Sequence, residues 1–165
     1  MAVASRFVWK ALTQVSRYLT DDQIRSYAQD QVLQWIGPDT RLVIGHSLGS
    51  IVAYEALHRI TDRPQRGLAL MTLGSPLGLK SVVYERLRPQ PPHVPAAVTR
   101  WENLAAEDDL VAARLDLKPY FAPAPDSTVT PETHIADTGS KPHDITHYLT
   151  KPTTGRVITE TLAES

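Results

Sequence analysis

The sequence predicts an α/β fold, a mostly parallel sheet of about four strands flanked by helices. Arg41 to Ile44 and Gly67 to Leu73 are short apolar runs bounded by turn residues, the pattern of strands buried on both faces. The stretch between them reads as a strongly apolar helix, so strand and helix alternate as parallel crossover connections require. A chain of 165 residues, 42% of them hydrophobic, can bury one ordinary core. It reads as a single domain over 1–165, with N-terminal helices in 1–37 and the sheet portion in 38–165.

Phe7, Val8, Ala11, Leu12, Val15, Tyr18 and Leu19 recur at helical spacing and open the chain with an amphipathic helix. A second helix follows, in which Thr20 and Gln23 form a capping box and Asp21 and Asp22 suit the positive end of the dipole. Its apolar stripe is Ile24, Tyr27, Ala28, Val32 and Trp35, and Gly37-Pro38 ends it. The first strand leads into a helix over Ser47 to Ile60. The second is closed by Gly74-Ser75-Pro76 and leads into a helix at about Leu79 to Leu87. Four prolines between Arg88 and Ala96 exclude a helix interior or a central strand there. Ala97 to Asn103 reads as the third strand, Lys118 to Asp126 as a second proline-rich loop and Thr128 to Ile135 as a fourth strand. Pro152 to Leu162 is the closing helix, with Val157, Ile158 and Leu162 facing inward.

Charge excludes some functions. The 17 basic and 18 acidic residues are scattered, so there is no electrostatic footprint for nucleic acid or an acidic membrane surface. The absence of cysteine removes disulfides, thiolate ligands and a cysteine nucleophile together. No run approaches the length of a membrane span, and Arg6 and Lys10 stand where a signal peptide would be apolar, so a cytoplasmic protein is expected. No pair of histidines or carboxylates has a zinc-site spacing, and neither a metal nor a cofactor is expected.

The residues most suggestive of chemistry are Gly45-His46-Ser47-Leu48-Gly49, a GxSxG pattern between the first strand and the apolar helix. A serine hydroxyl is a weak nucleophile until a base takes its proton, and it must stand clear of the backbone to reach a carbonyl carbon. A sharp strand-to-helix turn achieves this if Gly45 and Gly49 leave room for the neighbouring chain, and the helix start aims N–H groups at a developing oxyanion. The same pattern also suits a tight glycine-rich turn whose serine only caps the helix. LVIGHSLGSIVAYEAL resembles the nucleophile elbow of lipase and esterase members of the α/β-hydrolase superfamily, and MTLGSPLGL is similar to the strand end and loop that often follow the elbow helix in lipase-like members. The resemblance runs from about Thr20 to the C-terminus and puts the elbow and catalytic portion in 38–165.

The resemblance implies a partial α/β-hydrolase fold and catalytic groups in the order Ser, acid, His. TRWENLAAEDDLVAA looks like the family's strand ending in Trp-x-Asn, followed by an Asp before a Val-Ala pair, which makes Asp109 the acid. Asp108 is the alternative one position away, and both acids also suit the start of a short helix over Leu110 to Leu115. KPHDITHYL offers two histidines. The family's His, five residues before a Tyr-Leu pair, selects His143, with His147 the alternative and Asp144 a neighbour that shapes the loop. Ser47 is then the nucleophile, His143 the proton shuttle, Asp109 the group that orients the imidazole, and Leu48 N–H an oxyanion donor. His58, His93 and His134 read as surface or loop residues. The implied activity is that of an esterase- or lipase-like serine hydrolase acting on a small-molecule ester or related acyl bond, without a cofactor. Tyr120 and Phe121 hint at an apolar substrate site.

Complete family members carry three or more strands before the elbow strand, and a loop there, usually with a His-Gly pair, that supplies a second oxyanion N–H. Here the first residues read as two helices. Losing one such donor typically costs about a hundred- to a thousandfold in turnover. The elbow strand would also be an exposed apolar edge, so pairing with a second copy or with a separate N-terminal fragment is expected through it. A truncated gene product is the other explanation. The same gap admits a function of another class, a catalytically silent α/β module that binds a partner or oligomerises.

Overall fold

The computed structural model describes residues 2–61 and 67–163, with the backbone alone for 2–8, so the expected inward placement of Phe7 and Val8 lies outside the described residues. The chain forms α1 (Ala2–Thr20), α2 (Asp22–Leu33), β1 (Leu42–His46), α3 (Leu48–Leu57), β2 (Leu68–Leu73), β3 (Val98–Ala105), β4 (Pro131–Ile135), α4 (Ile145–Leu149) and α5 (Pro152–Ala163). The strands make one sheet in the order β1-β2-β3-β4, parallel throughout. An α/β architecture with a four-stranded parallel sheet is what the alternation of apolar runs predicts.

Strand residues alternate between two apolar clusters. Leu68 and Leu70 of β2 pack with Trp101 of β3 and with Ile51 and Tyr54 of α3. Met71 and Leu73 pack with Leu104, Tyr148 and Val157 in the second cluster. Because His46 pairs with Leu73 and Leu73 with Leu104, β1, β2 and β3 end level. The three loops that follow them therefore open at one carboxyl edge, where parallel sheets place their sites. β1 is an outer strand, and its Ile44 is 42% exposed. Among the described residues, no helix is long and apolar enough to cross a membrane.

Several expectations need correction. The N-cap of α2 is Asp21, whose Oδ1 accepts from Gln23 N and Ile24 N at 3.0 and 3.1 Å; Thr20 instead ends α1 and donates to Ser16 O. The stripe assigned to α2 holds only in part: Ala28 and Val32 pack against the core, but Tyr27 and Trp35 are exposed, while Arg25 and Gln29 face inward to satisfy the buried carboxylate of Glu55. The expected helix Leu79–Leu87 is replaced by 3₁₀ turns at Pro76–Gly78 and Tyr84–Arg86. Pro89 and Pro91 have no N–H to close helical turns on Glu85 and Leu87, and Gln90 Nε2 takes the Tyr84 and Leu87 carbonyls instead. No helix forms over Leu110–Leu115 either: the Asp109 carboxylate accepts from Val111 N and Ala112 N as a helix cap would, but the chain does not continue into helical turns, and the Leu115 carbonyl is held by Asn103 and Thr133. In α5 the inward face is Thr154, Val157 and Thr161; Leu162 lies one position past that stripe and is exposed.

Candidate active site

The turn after β1 holds Ser47 at φ 53° and ψ −124°, a conformation that non-glycine residues rarely adopt. Ser47 N–H donates to Leu73 O at 3.0 Å, while its carbonyl accepts from Ser50 N at 3.0 Å and Ser50 Oγ at 2.5 Å. Ser50 Oγ also meets Ser75 Oγ at 2.7 Å, which ties the elbow to the Gly-Ser-Pro loop after β2. The Ser47 hydroxyl does not cap α3. Strain of this kind is of order 1–3 kcal/mol and persists only when the surroundings enforce it. Gly45 is part of that enforcement, because a Cβ there would fall 2.7 Å from Gly49 O and from Ser50 Cα, both backbone atoms that cannot give way. Gly49 is different: a Cβ there would meet nothing within 4 Å, so the room expected of both glycines is needed only at Gly45.

His143 stands in the loop between β4 and α4 and is 8% exposed. Its Nε2 lies 2.9 Å from Ser47 Oγ, and its Nδ1 lies 2.9 Å from both carboxylate oxygens of Asp109. A carboxylate can only accept, so Nδ1 carries the hydrogen and Nε2 presents a lone pair to the serine hydroxyl. Asp109, after β3, is 2% exposed and also accepts from Val111 N at 3.0 Å, Ala112 N at 3.4 Å and Tyr148 O–H at 2.9 Å. An imidazole fixed in this way can take a hydroxyl proton and return it, the linkage that acyl transfer by a serine requires.

Of the two alternatives, neither joins this linkage: Asp108 is exposed, and His147 turns its Nδ1 to Thr138 O at 2.7 Å. Asp144 caps α4 by accepting from Thr146 N. Leu48 is the first residue of α3, directly after the serine. His46 has a contact that its place in the elbow does not suggest. Its Nε2 donates to the His143 carbonyl at 3.0 Å and its ring lies 4.8 Å from the His143 ring. Burial, followed by the neighbouring His143, lowers the proton affinity of His46 below that of an ordinary histidine. His134 is a β4 residue paired with the buried Glu102, and His58 caps the end of α3 with Nε2 against His93 O at 3.1 Å, so the surface reading is incomplete for both.

Two residues of the site were not singled out by sequence reasoning. Gly74, at φ +53°, passes directly beneath the linkage: a Cβ there would lie 2.8 Å from Asp109 Oδ2 and 3.3 Å from His143 Nδ1. The GSPLG motif was the available signal. Tyr148 enters the sequence argument only as a spacing marker, yet its hydroxyl reaches Asp109. No family model matches this chain, and neither does any curated protein or solved structure. Among the described residues, no group of three or more His, Asp or Glu could hold a metal ion.

Proposed function

We propose that this chain is a serine hydrolase of the esterase or lipase-like kind, cleaving a carboxylic ester or related acyl bond of a small molecule. One observation carries the reading, the hydrogen-bonded series Ser47 Oγ, His143 Nε2, His143 Nδ1 and Asp109 at 2.9 Å per step. Ser47 Oγ attacks the carbonyl carbon as His143 Nε2 takes its proton, Asp109 holds the imidazolium, and Leu48 N–H donates to the oxyanion. The proton then passes to the leaving oxygen, and water, activated by the same imidazole, releases the acyl group.

The direct test is intact mass after exposure to a fluorophosphonate. The native chain should gain one adduct, Ser47→Ala none, and His143→Ala should label at least about a thousandfold more slowly. A folded native sample that takes no label sinks the reading.

A second reading rests on the outer strand β1. With Ile44 exposed on an apolar strand, a second copy or a separate N-terminal fragment could extend the sheet there, and the chain could act as a silent binding or oligomerising module. It predicts a dimer mass by light scattering at micromolar concentration; a monodisperse monomer counts against self-pairing.

A further inference from the structure

Asp109 faces His143 with both oxygens, and Tyr148 is its side-chain partner from α4. The phenol is fully buried, donates to Asp109 Oδ2 at 2.9 Å and accepts from Ala106 N at 2.9 Å. The Ala106 contact fixes the direction of the phenol O–H, since a backbone N–H can only donate and so leaves the phenol hydrogen for the carboxylate. The Tyr148 ring also lies 6.1 Å from that of His46, which in turn holds the His143 carbonyl. Tyr148 thus touches the acid directly and the base through His46.

We propose that Tyr148 is a positioning residue of this site: its hydroxyl draws charge from Asp109 and fixes its rotation, and so sets how strongly Asp109 holds the proton on His143. The inference rests on the serine-hydrolase reading for its catalytic consequence. A hydrogen bond to a carboxylate is stronger than a neutral one and withdraws negative charge from the oxygen that accepts it. Removing it leaves more charge facing His143 and stabilises the imidazolium, while freeing the carboxylate to rotate. Burial, followed by the Asp109 carboxylate, pushes the phenol pKa up, so the group remains a donor across the working pH range.

Among the described residues, the titratable and charged groups near His143 include Asp109 after β3, His46 on β1 and Tyr148 on α4, with Asp144 and Lys141 within two residues of it in its own loop. From the loop after β2, the uncharged Gly74 lies against the Asp109–His143 pair. A change confined to Tyr148 therefore reads out one neighbour among several that stay in place.

Two variants test the proposal. Tyr148→Phe keeps the ring and removes the hydroxyl; 3-fluorotyrosine placed at position 148 keeps both hydrogen bonds and makes the phenol a stronger donor. Fluorophosphonate labelling rate is followed against pH, and the His143 ring is titrated separately by NMR. In Tyr148→Phe the acid limb and the His143 titration should both move up by about half a pH unit, with plateau labelling down about tenfold. In the fluorotyrosine variant both should move down. A purely structural role for Tyr148 would lower the melting temperature and leave both titrations where they are. Titrations unmoved in the fluorotyrosine variant overturn the proposal, and that variant decides alone if Tyr148→Phe does not fold. If the native chain takes no label, the hydrolase reading fails, while the NMR titration still judges Tyr148.

Discussion

Two buried polar networks sit at opposite ends of α3, and they differ in how they end. Toward the C-terminal end, Glu55 accepts from Tyr18 O–H at 2.6 Å, Arg25 Nε at 2.7 Å, Gln29 Nε2 at 3.0 Å and Arg88 N at 2.9 Å, with a further bond from the second Arg25 nitrogen. Arg25 also donates to Arg86 O, so the network closes on itself. At the N-terminal end, Asp109 and His143 are as deeply buried, but the series stops at a half-buried serine hydroxyl that meets the His143 imidazole. A cleft of about 570 Å³ opens beside the closed network, lined by Arg25, Glu55, His58, Arg59 and Arg88, and away from Ser47. Its arginines are already paired with Glu55, Asp30 and Asp22. Neither burial of titratable groups nor the volume of a cleft therefore sets the two networks apart; the distinguishing feature is a hydrogen-bonded series that ends on a serine hydroxyl.

If that distinction holds, the two networks should respond to substitution in opposite ways. Glu55→Ala should have the largest effect on stability, because it leaves the Arg25 guanidinium, 3% exposed, without its counter-charge. Urea unfolding is expected to show a loss of about 3–5 kcal/mol, the scale for breaking one side of a buried pair. The fraction that remains folded should label at close to the native rate. Ser47→Ala should do the reverse, abolishing the label while changing stability by less than about 0.5 kcal/mol. A cost below about 1 kcal/mol for Glu55→Ala would mean that the closed network is not the structural one.

Gly74→Ala sharpens the comparison at the open end. Its Cβ would intrude 2.8 Å from Asp109 Oδ2 and 3.1 Å from Tyr148 Cε2, at a φ of +53° that already disfavours a side chain. The expected stability loss is smaller than for Glu55, about 1–3 kcal/mol. Labelling should nevertheless fall by about a hundredfold, because the displaced atoms belong to the acid–base pair. Equal proportional losses of folded protein and of label would indicate simple unfolding and remove Gly74 from the site.

The same contrast explains what could be read from the sequence. Ser47, Asp109 and His143, which the structure joins in one hydrogen-bonded series, could be singled out because the motifs around them resemble those of a known family, and the strands because apolar runs bounded by turn residues have few alternatives. The inward face of α2 was legible only at Ala28 and Val32. Periodicity favours Tyr27 and Trp35, whereas the burial of Arg25 and Gln29 answers to Glu55, which lies 30 and 26 residues away in the chain. The helix expected over Leu79–Leu87 fails for a related reason, the side chain of Gln90 taking the Tyr84 and Leu87 carbonyls, and beside Leu110–Leu115 the Leu115 carbonyl is held by Asn103 from 12 residues away. Tyr148 and Asp109 are 39 residues apart, and no local pattern encodes their contact.

At neutral pH the smallest expected effect is at the closed end, where a contribution to stability changes only on acidification. Burial, followed by neighbouring His93, brings the His58 pKa down to about 4 from its ordinary 6.5, and its Nε2 donates to the His93 carbonyl. The folded chain thus binds the His58 proton more weakly than the unfolded chain does. Unfolding takes up a proton below pH 6.5, so this contribution is present in full above that pH and is lost progressively as pH falls toward 4. His58→Gln can keep a side-chain N–H for the His93 carbonyl while removing the titration. The melting temperature of the native chain should drop on the order of 5–10 °C further than that of His58→Gln over this interval, and the two should run parallel above pH 7. Carboxylates titrate in both proteins, so only the difference between them reports on His58. Labelling of Ser47 should follow one pH profile in both wherever they remain folded, since His58 lies at the far end of α3 from the serine.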